Sequence, residues 1–339
     1  MHIIVSLALQ HDSVTSTHTH THIHTPTPTH NTSEGSLCLP PWRKKMAEQR
    51  ALHTRRATEE EDDDKDTQHH NGAKGFCNPW VDKEEFGNKK LLDLARFMWA
   101  SKTQQAKLPN KAELARLFPV CNTDWEAVRS PDPSAVTITW IGHASFLVSV
   151  GGLTFLTDPV FSSRASPLPF VGPWRYAPLP FDVKSLPKID FVVISHSHYD
   201  HLDLGSVLQL GNGPLWYVGL GLGAWFRSQG ITNVKEMDWW QTTEFPSNNV
   251  KVTATPCQHW SARTPMDRMK TLWCSWYIQG PQSSFYFAGD TALCPAFKEI
   301  KARVGAPTVA AIPIGAYLPR NFMRHHHASP EDAVSTRFI

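Results

Sequence analysis

No stretch of the 339-residue chain holds the roughly 20 consecutive apolar residues that a membrane-crossing helix requires. The run 3–9 is apolar, but it has no basic lead-in and no small-residue cleavage site, so it does not read as a secretory signal. Any meeting with a membrane is therefore expected from its surface. The six cysteines, at 38, 77, 121, 257, 274 and 294, include no CxxC pair. Such scatter fits the reduced thiols of an intracellular chain better than a disulfide framework. Charge of one sign is lacking too. The 33 Lys and Arg stand against 31 Asp and Glu, and the net charge of +2 falls short of the dense basic surface that nucleic acid demands.

Residues 1–77 lack apolar periodicity. Positions 17–30 alternate Thr with His and then Thr with Pro, and Glu59 to Asp64 form an unbroken acidic run after Arg55 and Arg56. This segment reads as a low-complexity, disordered tail. Ten of the 18 His precede residue 71, yet no carboxylate or Cys at fixed spacing accompanies them to shape a metal site.

Material for a core lies downstream. An apolar fraction of 41% and 13 Trp support a sizeable interior, and the length allows one or two domains. Ordered sequence is expected over 78–339. Leu91, Leu94, Ala95, Met98 and Trp99 keep the i, i+3, i+4 spacing of an amphipathic helix, and 112–118 suits a second. Core packing is the first reading of their apolar faces, docking on lipid the second. From residue 135 the texture is β-rich, with strands expected at 136–141, 146–150, 153–156, 191–195, 215–218, 250–255, 272–278, 284–288 and 309–312. Gly151-Gly152 is a hairpin-type turn. Helices are expected around 223–228 and 295–303, which together with two groups of strands predicts a layered α/β sandwich. The Pro- and aromatic-rich stretch 161–180 is too irregular for a core element and reads as a long functional loop.

The chemistry concentrates after the strand at 191–195. There Ser195-His196-Ser197-His198-Tyr199-Asp200-His201-Leu202-Asp203 places three imidazoles and a carboxylate within six positions. A strand end holds side chains rigidly, and N and O donors at this density suit Zn²⁺. Two ions would divide the cluster, His196 and His198 on one, Asp200 and His201 on the other. His259 and Asp290 each follow a later strand and can converge on the same edge. Asp203 is expected to orient a ligand imidazole. Tyr199 is either a hydrogen-bond donor to a bound phosphate or a packing aromatic. His143 reads as a buried structural histidine, and Asp158 either supports the site or caps a turn. His325, His326 and His327 precede a helix start at Ser329-Pro330, where a phosphate would be favoured, or else form a solvated loop.

HxHxDH followed by a His and then an Asp, each after a strand, resembles the metallo-β-lactamase superfamily. Within it the sequence is similar to the N-acyl-phosphatidylethanolamine-hydrolysing phospholipases D. That nearer likeness rests on Trp140-Ile-Gly-His-Ala-Ser, Thr157-Asp-Pro-Val-Phe, Thr255-Pro-Cys-Gln-His-Trp, Phe287-Ala-Gly-Asp-Thr and Ala311-Ile-Pro-Ile-Gly-Ala-Tyr, together with the Ser195–Asp203 run. It extends from about residue 78 to 334. The resemblance implies an αβ/βα sandwich holding two Zn²⁺, with His196, His198 and His259 on one and Asp200 and His201 on the other. Asp290 would bridge them and orient the hydroxide, and Tyr199 and His327 would contact substrate.

The implied activity is that of a phospholipase D-type phosphoric diester hydrolase, cleaving N-acyl-phosphatidylethanolamine in membranes to an N-acylethanolamine and phosphatidic acid. Also implied are a homodimer, activation by bile acids, and peripheral attachment to intracellular membranes of the Golgi or endosomal type. Two zinc ions would activate a shared water and clamp phosphoryl oxygens. In one respect the sequence departs from the pattern. The family has a further metal-binding His in a late strand, whereas this sequence stops at Ile339. A second zinc short of one ligand, a sheet without its last strand, an unpaired edge and reduced activity and stability are therefore expected. His325 and His326, lying before a helix, are poor substitutes. The alternatives are another hydrolase of this fold acting on a thioester, lactone or nucleic acid, or a catalytically impaired zinc- or lipid-binding isoform. Iron or manganese can occupy similar N/O sites.

Overall fold

In the computed structural model the described residues are 3–7, 66–81, 86, 99, 109–117, 119–168 and 170–336. Two six-stranded sheets make up the fold. One runs β2 (Thr137–Gly142), β3 (Ser145–Val150), β4 (Leu153–Thr157), β5 (Phe191–Val193), β6 (Leu215–Gly219), β7 (Val234–Met237). The other runs β1 (Ile3–Leu7), β12 (Val309–Pro313), β11 (Ser284–Phe287), β10 (Ser275–Gln279), β9 (Val250–Thr255), β8 (Thr242–Phe245). The chain is thus the expected α/β sandwich.

Strand alternation explains the layers. Phe146, Val148, Phe155, Phe191 and Val193 point inward from the first sheet and meet Val252, Ala254, Trp276, Ile278, Phe285 and Phe287 of the second in one buried core. The alternate residues Leu147, Leu156, Val192, Trp216 and Val218 face outward, where Val207 and Phe226 cover them. Those two belong to helices α3 (Leu204–Leu210) and α4 (Gly223–Ser228), which follow α1 (Lys111–Leu117) and α2 (Trp125–Arg129). On the far side, Tyr277, Tyr286, Ala310 and Ile312 are covered by Ala296, Phe297 and Ile300 of α5 (Ala296–Val304). With both faces of each sheet covered, the strands read as continuous apolar runs. Two short helices, α6 (Arg320–Met323) and α7 (Pro330–Ser335), complete the series; α7 starts where the sequence predicted, and its N-cap Ser329 also forms a capping box with Asp332.

Strand direction positions the site. β2, β4 and β5 run the same way, as do β9, β11 and β12. Their C-terminal ends deliver His143, Asp158, the 196–201 loop, His259 and Asp290 to a common edge. Gly151 and Gly152, at φ +58° and +77°, make the expected tight turn between β3 and β4.

Several expectations are corrected. β1 pairs antiparallel along β12, from Ile3 opposite Pro313 to Leu7 opposite Val309, so the edge expected to be unpaired carries a strand. The apolar run near the start is therefore a sheet element rather than part of a featureless tail. Order also begins before Asn78: His69 is buried, and His70 forms a β-bridge with Phe76. The described residues 3–7 and 69–336 belong to one compact unit. The Thr/His and acidic tracts lie outside the described residues, as does the helix expected at 91–99 apart from Trp99. β7, β8 and α3 went unforeseen because the two strands are short, half-exposed edges and α3 is a brief helix beside the ligand loop. Among the described residues no helix is long and apolar enough to cross a membrane.

Gly289, at φ +59°, lets the Asp290 turn rest on Ser195, since a Cβ there would fall 2.5 Å from the Ser195 Cβ. Gly289→Ala is therefore expected to destabilise the fold by about 2–4 kcal/mol, combining left-handed backbone strain with overpacking. Chemical denaturation measures this, and an unchanged midpoint would show that the turn does not sit on Ser195.

Candidate metal centre

The centre is built on Asp158, which follows β4. Its backbone N–H donates to the carbonyl of Val193 (3.0 Å), tying the ends of two parallel strands together. Its fully buried carboxylate accepts from the Ser195 N–H (2.7 Å), the Ser195 hydroxyl (2.5 Å) and His201 Nδ1 (2.6 Å). One side chain thus both holds the ligand loop and orients an imidazole, the arrangement typical of carboxylates behind metal-bound histidines.

The hydrogen-bond network assigns the tautomers around it. The Ser195 hydroxyl is committed as a donor to Asp158, so it accepts from His196 Nδ1 (2.9 Å). His259 Nδ1 donates to the His326 carbonyl (3.0 Å). Both histidines then present an Nε2 lone pair, and these lie 2.7 and 3.3 Å from Nδ1 of His198. Asp290 sits between this triad and the rest, its Oδ2 3.4 Å from His201 Nε2, 3.8 Å from His259 Nε2 and 3.7 Å from His327 Nδ1. Asp200 Oδ2 stands 3.8 Å from His201 Nε2.

These donors fit a metal. Ligands 2.0–2.2 Å from one tetrahedral ion stand roughly 3.3–3.6 Å apart, too far for hydrogen bonds and close to most of the spacings seen here. His198 Nε2, His201 Nε2, Asp290 Oδ1 and His327 Nδ1 are buried with no hydrogen-bond partner among the described residues. The donor atoms of His196, His198 and His259 form one compact group, and those of His143, Asp200 and His201 another.

Electrostatics prepares the ligands. Burial, with the neighbouring imidazoles adding to it, holds His196 and His259 well below the usual histidine range and pushes His198 down to about 4. Burial also disfavours a charge on His201, but Asp290 and Asp200 outweigh it and hold that imidazole well above its ordinary value. Burial would likewise raise the two aspartates, yet the charge of His201 beside them keeps both ionised.

The structure also settles smaller questions. Asp203 does not orient an imidazole: it is the N-cap of α3, accepting from Gly205, Ser206 and Ser162, because the turn carries it away from the ligands. Of the two roles left open for Asp158, its contacts with Ser195 and His201 give it the supporting one. His143 is no buried core histidine. At φ +55° its Nε2 meets Asp200 Oδ2 at 3.1 Å, so a residue of the β2–β3 turn joins the site. Tyr199 donates its hydroxyl to the Arg263 carbonyl (2.8 Å) and packs its ring on the Arg263 guanidinium.

His327 reaches the cluster. The 325–327 run is not a free loop, since the carbonyls of His325 and His326 accept from Gln258 and His259 and that of His327 from Arg320. The His326 ring turns instead to Phe86. Sequence reasoning missed Arg263, whose Nη1 donates to the carbonyls of Ser197 and Leu202 (both 2.9 Å) and clamps the ligand loop at two points. A lone Arg in an irregular stretch carries no signal for that.

Fold and cluster together define a metal-dependent hydrolase of the β-lactamase type, and residues 153–337 match the family described as Beta-lactamase superfamily domain. The chain is 42% identical over 270 residues to the N-acyl-phosphatidylethanolamine-hydrolyzing phospholipase D 1 of Caenorhabditis elegans, covering 76% of this chain and 75% of that protein. On this kinship it belongs to the N-acyl-phosphatidylethanolamine-hydrolysing phospholipase D family. The mitochondrial enzyme of that name from Saccharomyces cerevisiae is 36% identical over 204 residues, covering 58% of this chain and 43% of its own length. An archaeal metallo hydrolase from Ignicoccus hospitalis superposes with a TM-score of 0.45 at 22% identity, covering 59% of this chain and 76% of its own.

Two outcomes are expected at the centre. Asp158→Asn weakens metal affinity about 10–100-fold, read by competition with a chelator, because His201 loses its charged orienting partner. Metal binding at pH 7.5 releases about one proton per chain from His201, in addition to any from a metal-bound water, while the already neutral triad releases none. Calorimetry in two buffers of different ionisation enthalpy counts that proton. In the metal-free protein the sign for the triad is the reverse of the His201 case. The unfolded chain takes up protons below about pH 6.5 that His198 refuses until about 4, with His196 and His259 also held well below the usual histidine range, so stability falls as pH drops below about 6.5.

Proposed function

We propose that the chain is a zinc-dependent phosphodiesterase that hydrolyses N-acyl-phosphatidylethanolamine to an N-acylethanolamine and phosphatidic acid at a membrane surface. The observation that carries this reading is a cleft of about 320 Å³ that joins the long aromatic loop to the metal cluster. Trp140, Val160, Trp174 and Tyr176 line it alongside Arg164 and Arg175, and it ends on His143 and Asp200. Phe170, Val171 and Trp174 are exposed on the same loop. Apolar walls suit acyl chains, guanidinium groups suit a phosphate, and the exposed aromatics suit an interface with lipid.

His196, His198 and His259 would hold one ion, and Asp200 and His201 the other, with Asp290 between. Zinc bound there would act as a Lewis acid, bringing the pKa of a water to near neutrality and offsetting the charge that builds on phosphoryl oxygens. The chain supplies the rest. Arg164 and Arg175 draw the phosphodiester along the cleft, and His327, with Nδ1 free of a hydrogen-bond partner, is placed to hold a phosphoryl oxygen. His143, beside Asp200, is an imidazole the second ion can recruit. Tyr199 would have to release the Arg263 carbonyl before its hydroxyl could meet substrate. By the same kinship we extend to the chain a homodimeric state, activation by bile acids, and peripheral attachment to intracellular membranes of the Golgi or endosomal type.

The test is release of N-acylethanolamine from vesicles containing N-acyl-phosphatidylethanolamine by zinc-loaded protein. Asp290→Asn is expected to lower kcat more than about a hundredfold, beyond the effect of losing an outer partner such as Asp158. Turnover confined to thioesters or lactones, or lipid binding with no turnover, would replace the proposal with one of those readings.

A further inference from the structure

Apart from the catalytic cluster, two histidines and an aspartate converge where no sequence spacing announced a site. Asp238 follows β7 directly, and its carboxylate meets His69 Nε2 at 2.6 Å on one oxygen and His70 Nε2 at 2.7 Å on the other. The partners lie 169 and 168 positions away in sequence. The turn at Gly72–Lys74 doubles the chain back so that Phe76 bridges His70, which fixes the backbone carrying both imidazoles.

The site is built rather than incidental. The His69 ring is 1% exposed and stacked on Trp239 at 4.1 Å, while Phe76 packs edge-on against His70 at 5.4 Å. The Trp239 backbone N–H also donates to Asp238 Oδ1, fixing that carboxylate's rotamer. One ligand atom from each of the three residues lies within 4.8 Å of the others. His70 is 39% exposed, so the open side of the group faces water.

We infer that His69, His70 and Asp238 form a second, separate site for a divalent transition cation of the zinc class. Two imidazoles and a carboxylate supply an N₂O donor set; a bound ion replaces the two short His–Asp238 hydrogen bonds, and water completes the coordination from the exposed side. The ion's task is structural. It fastens the segment 69–78 to the β7–β8 turn, and that segment reaches the catalytic centre: Asn78 Nδ2 donates to the His259 carbonyl at 2.8 Å, and the Phe76 N–H to the Met269 carbonyl at 2.8 Å. Occupancy of this site therefore steadies the backbone of a catalytic ligand without touching substrate.

The test counts zinc by elemental analysis in the full chain, stripped by chelator and reloaded, for the wild type and for His70→Gln and Asp238→Asn. Each variant is expected to hold about one zinc fewer per chain than the wild type. His198→Ala, which disables only the catalytic centre, keeps the equivalent that His70→Gln removes. Cobalt-loaded His198→Ala should then show an absorption spectrum that loses one site's contribution when His70→Gln is added. Equal zinc counts in the wild type and His70→Gln, or a cobalt spectrum unaltered by that change, would overturn the inference. They would leave Asp238 as a hydrogen-bonding staple with no ion.

Discussion

Asp158 is a carboxylate taken wholly out of water at the junction of two parallel strands, and the metal centre hangs from it. Burying such a group is costly unless its oxygens are satisfied. Here a backbone N–H, a hydroxyl and an imidazole N–H satisfy them. The consequences run outward. The Ser195 hydroxyl, fixed as a donor, dictates the tautomer of His196. His201, fixed through Nδ1, turns Nε2 toward Asp290 and Asp200. Gly289 keeps the Asp290 turn close enough to take part, since any side chain there would strike Ser195. Arg263 then closes the loop from outside through the carbonyls of Ser197 and Leu202.

Around that junction the protein has to hold four separate loops at one place. Hydrogen bonds between loops do this. Ala292 N–H reaches the Gln258 carbonyl, Ala328 N–H the Thr291 carbonyl, and His259 Nδ1 the His326 carbonyl. The 258–259, 290–292 and 325–328 loops are thereby zipped together behind their ligands. The charge balance inside is as tightly coupled. The buried Asp290 and the half-exposed Asp200 are both kept ionised by the charge of His201 beside them. Three more imidazoles stay neutral because burial and mutual repulsion forbid them a charge.

Much of this was legible in the sequence. Strands buried on both faces announce themselves as apolar runs, and a His- and Asp-rich segment directly after such a run marks a metal site by composition and spacing alone. His196, His198, Asp200, His201, His259 and Asp290 meet as expected. The failures share a cause. Asp203 looked like a partner for an imidazole because it is near in sequence, but local backbone geometry made it a helix cap. His143 looked structural because its partner, Asp200, lies 57 positions on. β7 and β8 are weak edge strands whose pairing depends on neighbours rather than on their own pattern.

The sequence by itself determined the donor types, their order and the alternation that builds two sheets, because side-chain chemistry and strand periodicity are local properties. Only the tertiary structure decided which donors face one another, which imidazole nitrogen carries the proton, and that the opening apolar run pairs with β12. It also decided that the last two histidines of an unpromising tract find a carboxylate beyond residue 230. Those outcomes depend on strand order and on contacts between residues far apart in the chain. No spacing read along the sequence encodes either.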